Sequence, residues 1–129
     1  MDLKNFKNED EFYGQGFEKD GLVSIWLGLD DEKDDLDVLQ DLCGVGYYNI
    51  DNQEMNVGEK LEELNVLLEN ISYSDSFKNK FNKVAKEKGL SKAKWILLQY
   101  DFDYNPNKIK SKISNDPVFI GSFEYSDDE

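Results

Sequence analysis

Residues 93–104 (AKWILLQYDFDY) constrain the fold more than any other stretch of the chain. In an extended backbone Ile96, Leu98, Tyr100, Phe102 and Tyr104 fall on one side, and Trp95, Leu97, Gln99, Asp101 and Asp103 on the other. That alternation over a strand's length predicts a β-strand, which Asn105 and Pro106 break. Partners for it are predicted at residues 22–29 (LVSIWLGL), an apolar run bounded by Gly21 and Asp30, at 45–51 (VGYYNID), and at 118–125, which Pro117 opens.

Helical spacing fills the gaps. In residues 30–43, Leu36, Leu39 and Cys43, with Val38 and Leu42, form one narrow apolar face behind acidic opening turns, and Gly44 or Gly46 can stop the helix. Residues 58–71 repeat Leu61, Leu64, Leu68 and Ile71. A third helix, capped by Ser74 or Asp75 and ended by Gly89, has the stripe Phe77, Phe81, Val84. Its other face carries Lys78, Lys80, Lys83, Lys86 and Lys88. The order predicts one α+β domain over residues 1–129: a mixed or antiparallel sheet of about four strands with helices packed on one face. Residues 1–20 and 126–129 are expected to be loosely ordered.

Charge narrows the function. Residues 1–65 hold eighteen Asp and Glu against five Lys, whereas residues 66–129 hold ten of each sign, so the whole net charge of −13 falls in the first half. Such a field repels nucleic acid and anionic lipid and draws in a basic partner by a fast, salt-sensitive encounter. The chain has no His and no Arg, which removes the commonest general base and metal ligand and the bidentate anion clamp. With Cys43 the only cysteine, neither an internal disulfide nor a Cys/His zinc cluster can form. No catalytic residue, metal site or cofactor is expected. No apolar run approaches the ~20 residues of a membrane span, so a cytoplasmic location is expected, as a monomer or weak homodimer.

Local motifs have plain readings. Asp101, Asp103 and Asn105 open like a calcium loop, but Pro106 and Lys112 stand where the loop needs Gly and Glu. Cys43 reads as a small buried hydrophobe at a helix end, and Trp26 and Trp95 as core pieces. Tyr47, Tyr48, Tyr100 and Tyr104 are candidates for part-exposed interface anchors. The densest acidic cluster, Asp30, Asp31, Glu32, Asp34, Asp35 and Asp37, extended by Asp41, is the candidate partner-binding face, because like charges so close together would strain a merely solvated helix.

Three stretches carry a resemblance. Residues 23–28 (VSIWLG), 89–100 (GLSKAKWILLQY) and 119–123 (FIGSF) resemble, in order and spacing, the early I-W-x-G strand, the passage from lysine-rich helix to aromatic strand, and the closing Y-I-G-x-F strand of the immunity protein 22 family of bacterial polymorphic toxin systems. The resemblance implies an α+β domain without catalysis that neutralises a cognate toxin. It assigns no binding residue. With the charge, the expected partner is a basic protein toxin, a nuclease being one example, occluded stoichiometrically through the acidic face. The alternatives are an acidic nucleic-acid mimic that binds several basic proteins, and a hydrolase built on carboxylates from Asp101, Asp103 and Glu124.

Overall fold

The computed structural model describes residues 15–31, 36–109 and 113–126. Four strands, β1 (Glu18–Gly28), β2 (Gln53–Glu63), β3 (Lys92–Phe102) and β4 (Val118–Glu124), form one antiparallel sheet in the order β2-β3-β1-β4. The α-helices among the described residues are α1 (Leu64–Leu67) and α2 (Ser74–Glu87). The α+β expectation, with about four strands and helices on one face, holds.

Both sheet faces are buried, by different means. Val23, Ile25 and Leu27 of β1 meet Leu64 and Leu67 of α1 and the Phe77, Phe81, Ala85 stripe of α2. On the opposite face Trp26, Trp95 and Leu97 pack under the segment that carries Val38, Leu39, Cys43 and Val45. Trp26 and Trp95 are core residues, as expected, and Cys43 is buried.

The third predicted helix forms, and Gly89 ends it with a φ of +79° while the Leu90 N–H reaches back to the Ala85 carbonyl at 2.9 Å. Its start differs from expectation. Neither Ser74 nor Asp75 is the N-cap; Tyr73 is, in a left-handed conformation (φ +63°) and with no capping side chain.

Three other expectations are corrected. Residues 58–71 are not one helix: β2 runs to Glu63 and α1 begins at Leu64, so the leucine period spans an element boundary. Residues 45–51 are not a strand. Their backbone groups are taken by side chains: the Gly46 N–H by Gln15 Oε1, the Gly46 carbonyl by Gln40 and the Asn49 carbonyl by Gln99. Within 30–43 the described residues form helix only as a five-residue π-helical turn, Val38–Leu42, with Asp30, Asp31, Leu36 and Asp37 outside it. Asp37 caps that turn at its start, and Gly44, with a φ of +77°, closes it.

β3 also changes face. Asp101 takes a φ of +56°, a conformation few non-glycine residues adopt, and the pleat slips there. Phe102 and Tyr104 therefore join the Trp95 cluster instead of the Ile96 side that strict alternation assigns them. The β1–β3 register jumps at the same place, from Val23↔Tyr100 to Glu18↔Phe102. Ser24 fastens the slipped segment, donating to the Phe102 carbonyl at 2.8 Å and accepting from the Tyr104 N–H at 2.9 Å.

Candidate partner-binding surface

The candidate surface begins where β1 ends. Gly28 lies against the Trp95 indole, which occupies the space a Cβ would need, so only glycine lets the ring close over the strand. The Trp95 Nε1–H donates to the Asp30 carbonyl at 2.9 Å. The Leu29 and Asp30 N–H groups donate to the Asp116 carboxylate at 2.7 and 3.3 Å. These bonds hold Asp30 and Asp31 in irregular backbone at the sheet's end, both exposed.

A cleft of about 110 Å³ opens here, with Leu36, Val38, Leu42 and Trp95 as its apolar lining and Asp30, Asp31 and Asp116 as its acids. The Ser114 N–H donates to the Leu42 carbonyl at 2.9 Å and closes the far wall. Lys94 Nζ stands 2.8 Å from Asp31 Oδ1, and this hydrogen bond, then the charge of Asp31, raises the lysine pKa.

Asp37 and Asp41 sit on the adjoining π-helical turn with their carboxylates committed to it. Asp37 Oδ1 accepts from the Gln40 N–H, Asp37 Oδ2 accepts from the Tyr48 hydroxyl at 2.7 Å, and Asp41 Oδ2 accepts from the Asp37 N–H. Burial first, then the Asp37 bond and charge, raise the Tyr48 pKa. Burial, then Asp37, pushes the Cys43 thiol from 9.0 up to about 12, so it is a neutral packing group.

Of the seven acids expected on the face, Asp30 and Asp31 line one cleft and Asp37 and Asp41 brace the turn beside it. Glu32, Asp34 and Asp35 lie outside the described residues. Sequence reasoning missed Asp116, for which Pro117 beside it marked only a strand start, and missed that a core tryptophan, Trp95, also lines the cleft. Among the proposed tyrosine anchors, Tyr47 is exposed and Tyr48 half-buried, whereas Tyr100 and Tyr104 are buried and are not surface anchors.

Two of the carboxylates of the hydrolase alternative have plain structural settings. Asp101 Oδ1 accepts from the Gly21 N–H and the Tyr125 hydroxyl, a structural clasp, and Glu124 is exposed at the end of β4. Among the described residues no group of three or more His, Cys, Asp or Glu is placed to hold a metal ion, and no helix is long and apolar enough to cross a membrane.

A family model described as Immunity protein 22 matches residues 37–126. The chain belongs to that family. Membership gives it a toxin-neutralising role in general, with a cognate toxin as partner, and suggests inhibition without catalysis. The matched region of this Immunity protein 22 member runs from the π-helical turn to the end of β4; β1, Asp30 and Asp31 precede it. No curated protein and no solved structure matches the chain.

Proposed function

We propose that this protein neutralises its toxin by stoichiometric, non-covalent occlusion, and that its acidic segment meets a basic toxin surface. The contact is built on Asp30, Asp31, Asp37 and Asp41, with Glu32, Asp34 and Asp35 of the same segment. One observation carries the reading: a cleft with apolar walls and three aspartates around it. A lysine or arginine stem packs on indole and leucine while its charged head meets carboxylate, so the cleft suits a basic side chain and repels an anion. The remaining acids add a field that speeds encounter. A nuclease groove, positive in order to hold phosphates, is one surface of this kind.

The test is the association rate with the cognate toxin at several salt concentrations. Asp30→Asn, Asp31→Asn, Asp34→Asn and Asp35→Asn combined should slow association by about tenfold or more at low salt and flatten its salt dependence. An unchanged rate and salt slope would reject the acidic surface as the contact.

A further inference from the structure

A second candidate surface is the β2 edge of the sheet, which lies across β3 from the cleft: Val57 and Gly28 pair with Trp95 from its two sides. Among the described residues β2 ends the strand order, with β3 as its one neighbour, so alternate backbone N–H and C=O groups along it face outward. Its first half is regular: Gln53 to Val57 pair residue by residue with Gln99 to Trp95. That is about the length of an ordinary strand, enough to template another. The register then shifts, and Glu62 pairs with Ala93, so residues 58–61 form a wide bulge within β2. A Cβ on Gly58 would press on Glu62 and the Lys60 carbonyl, so glycine suits this bulge.

The exposed side chains of this stretch are of two kinds. Val57 and Leu61 are 50 % and 47 % exposed, unusual for aliphatic residues in a strand. Glu59 and Glu63 are exposed and Glu62 is partly so, with Lys60 the one cation among them. Glu54 is different, since its carboxylate is engaged by Ser72 and the Tyr100 hydroxyl. Charge then selects the occupant. A second copy laid antiparallel on this edge would bring the glutamates of both strands together, which like-charge repulsion opposes. Nucleic acid is excluded by the same sign and offers no peptide ladder.

We propose that the free edge of β2 at Gln53–Val57 accepts an extended, lysine- or arginine-bearing segment of a polypeptide partner as a fifth strand, with Glu59, Glu62 and Glu63 selecting for positive charge. Main-chain pairing supplies affinity, and Val57 and Leu61 supply apolar contact. The toxin is the source of that segment if the function proposed above holds, but the edge argument stands without it.

The test uses the whole protein and a ten-residue peptide alternating valine or threonine with lysine, read by amide hydrogen exchange. At ten times its Kd the peptide should slow exchange at the outward amides of Gln53–Val57 by about tenfold. The same peptide with a central proline, or with glutamate for lysine, should not. Glu59→Lys with Glu63→Lys should weaken binding at least about tenfold, because two attractions become repulsions, while the unfolding midpoint shows the fold intact. Three results would overturn the proposal: no binding, protection at residues 36–43 instead of β2, or β2 already protected in a protein that light scattering shows to be dimeric. Since no toxin is present, a negative result here leaves the acidic-segment reading standing, and an unchanged toxin association rate leaves this one standing.

Discussion

The Tyr125 hydroxyl donates to Asp101 Oδ1 at 2.6 Å, across the point where β3 changes the face it presents. The same oxygen accepts the Gly21 N–H at 2.9 Å, and the Tyr125 N–H reaches the Gly21 carbonyl at 3.0 Å. One carboxylate thus holds two strands in a slipped register. Asp101→Ala should cost about 2–3 kcal/mol, from two lost charge-assisted bonds and a left-handed backbone that alanine tolerates poorly. Asp101→Asn, which keeps an acceptor and tolerates that backbone, should cost less than about 1 kcal/mol. Urea unfolding measures both, and a double-mutant cycle with Tyr125→Phe should show coupling.

Gly28→Ala should be among the most damaging small substitutions, since its methyl would enter the Trp95 ring. Overpacking of this kind costs about 1–3 kcal/mol or more. Trp95 also lines the acidic cleft, so the variant should show altered tryptophan fluorescence and weaker toxin capture in the soluble fraction.

Asp37 serves the fold as well as the surface charge. Asp37→Ala removes an N-cap and the acceptor of the Tyr48 hydroxyl and should lower stability by about 1–2 kcal/mol. Asp30→Asn should leave the unfolding midpoint unchanged, because the Asp30 backbone, not its carboxylate, makes the bonds that hold the segment. Calorimetry on the two variants separates structural acids from steering ones.

Alkaline pH should unfold the protein cooperatively. The Cys43 thiol is pushed from 9.0 up to about 12, by burial and then Asp37. Burial leads the upward shifts of Tyr100 and Tyr104 too, with Glu54 adding to the first and Cys43 to the second. The unfolded chain releases these protons at lower pH than the folded one. Stability is therefore full below about pH 9 and falls as pH rises toward 12. Urea midpoints at pH 7, 9 and 11 check the sign. At pH 8 the native thiol should react with iodoacetamide about a thousandfold more slowly than the unfolded one, the ratio of their thiolate fractions.

What the sequence made legible was periodic. β1, β3, β4 and α2 announce themselves because burial on a fixed face imposes a fixed spacing, and Gly89 marks a helix end by its backbone freedom. What stayed hidden broke a period or imitated one. Leu61 sits at helical distance from Leu64 although one is exposed in an edge strand and the other buried in a helix. Asp101 shifts the pleat with a conformation no residue pattern signals. Residues 45–51 look like a strand until Gln15, Gln40 and Gln99 take their backbone bonds. The acidic segment was legible as charge, but Asp116, some eighty-five residues from Asp30 and Asp31, joins their cleft only through the sheet.

Ile25 and Trp26 are adjacent in the chain yet belong to separate apolar clusters, with the sheet as the wall between them. A substitution under the helices is thereby insulated from the aromatic side, and the reverse. A lineage pressed to follow a changing adversary can rewrite the loops over the tryptophans while the packing beneath the helices stays as it is.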